Sequence, residues 1–349
     1  MSFSIGLFLA YLLSILLIVG LPAAAIAILI KRFKVKWWLF LVGLGTYVVS
    51  QVIYYFVIGQ ISKLFTNGLI KAPSENWLPL FNAVILGFLL ALFEEGIRYF
   101  GLLLVRKKVK KFPSALGVGV AHGGIEAIAK NAWPFWPLYG VFIIQFLQIL
   151  FFNAGSVLAK GVSLEVVQNT LNYISYFWAQ PFHIGLQPGI EALIGFITQV
   201  AFTLLVWKAV RRRNFSWFGL AFLYHFLFQF ATVYLVLRDS DKWVVLGIMS
   251  VFILLSGSLI WYLLKESIAK TKASLDGNRK SIEEDNSESE MLSDDQDAEN
   301  EDSDVDDDDD DDDDDDNDDS EDEDDNSVDL VKKKAPKGSR TGTFLDDLE

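Results

Sequence analysis

The chain has 349 residues and a formal net charge of −14, yet the charge is divided between two unlike parts. Residues 1–264 hold 20 Lys+Arg against 8 Asp+Glu, whereas residues 265–349 hold 10 against 36. Eight acids cannot cover the surface of a folded body of that size, so a compact soluble protein is excluded. The absence of cysteine removes disulfide frameworks, thiol nucleophiles, iron–sulfur clusters and thiolate zinc sites.

Apolar runs of about 20 residues are the length a helix needs to cross a bilayer. Such runs cover Phe3–Ile30, where Pro22 marks a kink, then Trp37–Ile58 and Leu80–Val105. Further runs cover Ala115–Ile128, Leu138–Leu158, Gly189–Trp207, Trp217–Leu237 and Trp243–Leu264. The first run is too long for a removable signal peptide and lacks a small-residue cleavage site, so it is read as a retained span. The expected fold is an all-α polytopic transmembrane helix bundle of about 7–9 spans, occupying residues 1–264.

Three basic clusters set the orientation, because Lys and Arg in short loops stay on the cytoplasmic side. They are Lys31–Lys36, Arg106–Lys111 and Arg211–Arg213. Three spans lie between the second and third clusters, which would place Arg211 outside. Either Leu138–Leu158 does not cross or Ser163–Phe182 adds a crossing. The Trp133–Pro137 stretch, with two prolines among aromatics, favours irregular structure there.

Beyond Lys265 the composition inverts. Asp306–Asp316 is an unbroken acidic block, which repels itself and has nothing apolar to bury, so residues 265–349 are expected to form a disordered acidic C-terminal tail. Carboxylate oxygens suit hard cations, but spaced ligands and a turn glycine are missing, so the tail is expected to bind cations only weakly.

Ionisable groups within a bilayer are costly and each calls for a reason. In Phe93-Glu94-Glu95-Gly96-Ile97-Arg98-Tyr99 both acids lie within one turn of Arg98. Two adjacent carboxylates sharing one cation have unequal environments, which suits one of them to act as a general base. The plainer alternative is an ion pair that orients two helices. In Ala121-His122-Gly123-Gly124-Ile125-Glu126 the carboxylate falls one turn after the imidazole and can fix its tautomer. The two glycines permit close helix approach or backbone access to a substrate. Glu191 with Gln199, and His225 with Gln229, are polar pairs on two further spans; taken singly, each is a plausible interhelical hydrogen-bonding pair. Together, acids and imidazoles on four spans suit water activation and oxyanion stabilisation, hence peptide hydrolysis inside the membrane.

These blocks resemble the YhfC family of intramembrane metalloproteases, itself distantly similar to the CAAX-protease and bacteriocin-processing glutamate proteases. The likeness spans roughly residues 1–264, and its most specific piece is the His122–Glu126 block in register after Glu94–Tyr99. The resemblance implies that Glu94 or Glu95 activates water, with Arg98, Glu126, His122 and His225 assisting, and Glu191, Gln199 and Gln229 supporting. It also implies a divalent metal such as zinc, held by His122, His225 and Glu95 if by any. Two positions depart from the family pattern: Gln199 stands where a histidine is expected and Gln229 where an acid is expected. Glutamine is a poor transition-metal ligand and no base near neutral pH, so a metal-free glutamate mechanism and a degenerate enzyme both stay open. The other function classes are a noncatalytic pseudoprotease, immunity or regulatory factor, and an ion or solute carrier; the latter lacks repeated halves. Expected partners are membrane lipids and a transmembrane or membrane-associated peptide, and no nucleic acid. The expected location is the plasma membrane of a bacterial cell, with the tail on the cytoplasmic side.

Overall fold

The computed structural model describes residues 4–131 and 163–297. The run Leu138–Leu158 and the Trp133–Pro137 stretch lie outside the described residues. The first apolar run forms α1 (Ile5–Ile15), a π-helical turn (Leu16–Gly20) and α2 (Leu21–Lys31). The wide turn falls just before Pro22, whose ring and missing N–H cannot continue a regular ladder. Helices α3 (Trp38–Thr66), α4 (Leu78–Leu104) and α5 (Phe112–Asn131) follow, then α6 (Leu164–Ala179), α7 (Phe182–Arg212), α8 (Ser216–Leu237) and α9 (Lys242–Asp297).

Among the described residues six segments are long and apolar enough to cross a membrane: Ile5–Lys31, α3, α4, α7, α8 and Lys242–Ala273. Helix α5 is not among them, although its 20 residues are nearly all packed inside the bundle. Helix α6 has 16 residues, about 24 Å at the helical rise, and falls short of the roughly 30 Å hydrocarbon layer. It therefore does not supply the extra crossing considered for Ser163–Phe182.

The apolar faces of most helices point outward. Val52, Tyr55 and Phe56 on α3 and Leu254 on α9 are all more than 60% exposed, a surface that lipid tails cover and water does not. Helix α7 is the exception. Its apolar window is 72% buried against 22–33% for the other five segments, so it runs through the centre of the bundle. Pro188 interrupts its ladder, and Ser14 of α1 repairs the break: the Ser14 hydroxyl donates to the Gly185 carbonyl (2.6 Å) and accepts from the Gly189 N–H (3.2 Å).

Contacts between α5 and its neighbours are close enough to need glycine. A Cβ on Gly43 of α3 would run into the Val118 carbonyl oxygen and the Ala121 methyl carbon, the latter at 2.8 Å. A Cβ on Gly123 would meet the Phe196 carbonyl at 3.0 Å and Gln199 Cβ at 3.1 Å. Gly123 thus serves helix approach to α7, and Gly124 packs on Pro22. Gly43→Ala is expected to cost about 1–3 kcal/mol through forced separation of α3 from α5. Gly45→Ala, whose Cβ meets nothing within 4 Å, should be neutral or slightly stabilising. Thermal melts of the two variants in detergent check the contrast.

Along α5 from Gly119 to Gly123, the facing residues of α7 run back from Thr203 and Val200 to Gln199 and Phe196, so the two helices are antiparallel. Asn131 and Phe182 consequently lie at one end of the bundle. The Arg106–Lys111 loop and Arg211–Arg213 lie at the other, where Trp207 Nε1 donates to the Val109 carbonyl (2.9 Å). The sequence count that separated these two clusters is resolved in favour of a shared end.

The chain divides into two compact units, Met1–Ile268 and Ala269–Glu349. Helix α9 continues to Asp297, past the Leu264 limit at which order was expected to stop. Residues 265–297 contain one glycine and no proline, and are rich in Ser, Glu, Asp and Lys, a composition the helix tolerates. The acidic block 306–316 lies outside the described residues.

Candidate functional site

Helix α4 buries Ala83, Gly87, Leu90, Ala91, Glu94, Glu95, Arg98 and Leu102, a stripe at three- and four-residue spacing. The charged turn therefore falls on the packed face of the helix, and Glu94, Glu95 and Arg98 are each 0% exposed. His122 on α5, Gln199 on α7, and His225 and Gln229 on α8 are buried against it.

Arg98 is the hub. Its Nη1 donates to Glu95, and its Nη2 donates to Gln199 Oε1 at 2.5 Å and lies 2.6 Å from His122 Nε2. A guanidinium can only donate, so His122 Nε2 accepts and Nδ1 carries the ring proton. That proton goes to Thr46 Oγ1 (3.0 Å), which spends its own hydrogen on the Gly43 carbonyl (2.8 Å). His225 Nδ1 donates to Glu95 Oε1 (2.6 Å), which leaves His225 Nε2 to accept from Gln229 Nε2 at 3.3 Å. Phe202 stacks on the His225 ring with centroids 4.4 Å apart. Both imidazoles are thus oriented by their partners, His122 by Arg98 and Thr46 on other helices and His225 by Glu95 on α4 and Gln229 on its own helix.

The two acids differ as expected for a pair sharing one cation. Glu95 is paired with Arg98 and His225. Glu94 accepts from two neutral amides, Gln51 Nε2 at 2.7 Å and Gln199 Nε2 at 3.0 Å, and its nearest cation is Arg98 at 3.8 Å. Glu94 Oε2 lies 3.7 Å from both His122 Nε2 and His225 Nε2.

Of two further expected residues, one has another partner and one lies apart. Glu126 does not fix the His122 tautomer; its Oε1 accepts from Lys130 at 2.5 Å, one turn further on, and Thr46 takes the role instead. Glu191 is half-buried and stays out of the network, because eight residues carry it about 12 Å along α7 from Gln199. It lines a cavity of about 200 Å³ together with Glu126, Lys130, Asn131 and Gln229, at the end of the bundle opposite the basic loops. Thr46 and Gln51 were not singled out from sequence, and their only signal was a set of uncharged polar residues, Thr46, Ser50 and Gln51, inside an apolar span. His183, read as a surface residue, is partly exposed and edge-on to Trp243 (5.6 Å).

The set His122, His225 and Glu95 does not fit a metal. Glu95 is committed to Arg98 and to the Nδ1 proton of His225. A different set brings its ligand atoms together: one each from Glu94, His122 and Glu126 lies within 4.8 Å of the others, and His122 Nε2 would exchange its Arg98 bond for the ion. Glu126 Oε2 is buried with no hydrogen-bond partner among the described residues, as is Glu95 Oε2, and a lone carboxylate oxygen in such a place calls for a cation or a proton donor. Two carboxylates and an imidazole are donors that a divalent ion accepts.

A bundle of apolar helices around a buried, ion-paired and hydrogen-bonded centre defines an integral membrane protein whose site is built inside the helices. Residues 14–249 match the family model described as YhfC intramembrane metalloprotease, and the chain belongs to that family. No curated protein and no solved structure matches the chain.

Proposed function

We propose that the protein hydrolyses peptide bonds of membrane-embedded or membrane-associated peptides, with Glu94 as the base that activates water. The observation that carries this is the position of Glu94 Oε2, between two histidine Nε2 atoms at 3.7 Å each and held only by neutral amides. A water in hydrogen-bond contact with that oxygen is within reach of His122 or His225. Glu94 takes the water proton, and the neighbouring imidazoles return it to the leaving amine. The amide N–H groups of Gln199 and Gln229 and the Arg98 guanidinium supply donors for the developing oxyanion. Glu95 positions: it fixes Arg98 and orients His225 without facing the reacting atoms. The cavity lined by Glu126, Glu191 and Gln229 gives water and the peptide their path to His225.

Glu94, His122 and Glu126 would hold a divalent metal, which supplies Lewis-acid polarisation of the scissile carbonyl and a more acidic water when bound. The positive-inside rule supports reading the end with the basic loops as cytoplasmic, and with it a tail on the cytoplasmic side of a bacterial plasma membrane. A noncatalytic reading, in which the protein binds transmembrane segments without cutting them, is favoured by one observation: Gln199 and Gln229 satisfy Arg98, Glu94 and His225 within the chain.

The deciding experiment reconstitutes the full chain in proteoliposomes with a panel of membrane peptides. Cleavage by wild type that is lost in Glu94→Gln supports the enzyme; cleavage by neither, across the panel, assigns the binding role. Chelation is expected to reduce cleavage, and Glu126→Gln to weaken metal retention measured by elemental analysis of the purified protein.

A further inference from the structure

At the end of the bundle opposite the cavity, the C-terminal ends of α4 and α7 and the loop that follows α4 enclose a cleft of about 390 Å³. Five cations line it: Arg106, Lys107, Lys110, Arg211 and Arg213. No acid lines it, and none of the five has an ion pair among the described residues. The contrast with their neighbours is informative. Lys208 and Arg212, on the same stretch of α7, both reach Glu266 of α9, so that carboxylate is already committed. The floor is apolar, formed by Leu102, Val109, Trp207 and Val210.

A positive-inside loop explains cations near this end but not their gathering around one concavity. Bringing five like charges around one concavity costs Coulomb energy that a bound anion would offset. The backbone adds a second observation: Arg213 closes α7 at φ 52°, ψ 36°, a left-handed conformation usually given to Gly or Asn. A side chain held there at some cost is a feature that surrounding structure must sustain.

We propose that this cleft binds the phosphate headgroup of an anionic phospholipid. The cations take the phosphate oxygens, with Arg106, Arg211 and Arg213 able to bond two oxygens at once. The apolar floor takes the glycerol and upper acyl region, which a free phosphate would leave empty. The site lies where the spans leave the hydrocarbon, at the depth of headgroups.

The test uses the full chain purified in an uncharged detergent, titrated with short-chain phosphatidylglycerol, phosphatidylcholine of equal chain length, or inorganic phosphate, with binding read by native mass spectrometry and thermal shift. Phosphatidylglycerol is expected to bind at least about tenfold more tightly than either of the others. Lys110→Gln/Arg213→Gln is expected to weaken it about thirtyfold, at roughly fivefold per cation. Lys31→Gln/Lys36→Gln, which removes the same charge outside the cleft, is expected to leave affinity within about twofold. If the double variant does not fold, Lys107→Gln alone gives the reading, with about fivefold loss expected. Equal weakening by the control pair, or equal affinity for the two lipids, overturns the proposal. Inorganic phosphate displacing the lipid at matched concentration overturns the lipid assignment in favour of a soluble phosphate ester.

Discussion

Glu94→Gln is expected to abolish peptide cleavage and leave the bundle folded. Glutamine has the shape of the residue it replaces, and its carbonyl still accepts from Gln51 or Gln199, which now hold the carboxylate at 2.7 and 3.0 Å. No cation closer than 3.8 Å loses a partner, so the stability cost stays near that of one weakened hydrogen bond, about 1 kcal/mol. What disappears is the base, and loss of a positioned proton acceptor costs about 10²–10⁴ in rate. Turnover in proteoliposomes and melting in detergent measure the two effects separately. A variant that keeps more than about a third of wild-type turnover removes Glu94 from the role of base, since that loss is far below the range for such a group.

Arg98→Met is expected to prevent folding. The guanidinium ties Glu95 of its own helix to His122 of α5 and Gln199 of α7, at a point with 0% exposure. Methionine fills similar space but leaves Glu95 as a buried carboxylate without its counter-ion, and such half-broken pairs cost about 3–5 kcal/mol. Arg98→Lys is expected to rescue the charge and not the geometry, because one ammonium cannot span the separate targets of Nη1 and Nη2. Size-exclusion profiles and thermal melts of the purified variants report this directly. A methionine variant that melts with wild type would show that the cluster is not what holds α4, α5 and α7 in register.

The cluster was legible from sequence because charge in an apolar helix is conspicuous: Glu94, Glu95, Arg98, His122 and His225 all meet. The partners were less legible. At four-residue spacing Glu126 faces both His122 before it and Lys130 after it, and sequence offers no reason to choose; the cation is the stronger attraction, and the structure follows it. Gln51 and Thr46 escaped notice since uncharged polar residues serve many purposes between membrane helices. Glu191 and Gln199 seemed paired, yet eight residues carry the helix about 80° past two whole turns, so the two look into different spaces. The span pattern was legible by length; the run Ala115–Ile128 was read as a span, yet α5 is not among the six segments long and apolar enough to cross, and its burial comes from tertiary contacts. The extent of α9 was hidden because its charged end reads as solvated chain while its backbone keeps helical form.

The character of α5 bears on how the protein is made. Its segment is not among the six that are long and apolar enough to cross a membrane, and it carries His122, Glu126 and Lys130 besides. The glycines that let α3 and α7 close on it have no use until both are present, and α7 emerges from the ribosome some fifty residues later. Insertion of α5 therefore waits on its neighbours, with the nascent chain held in the translocon or beside it. Chains halted between Asn131 and Phe182 should leave this segment on the wet side, a stage at which quality-control proteases can reach it.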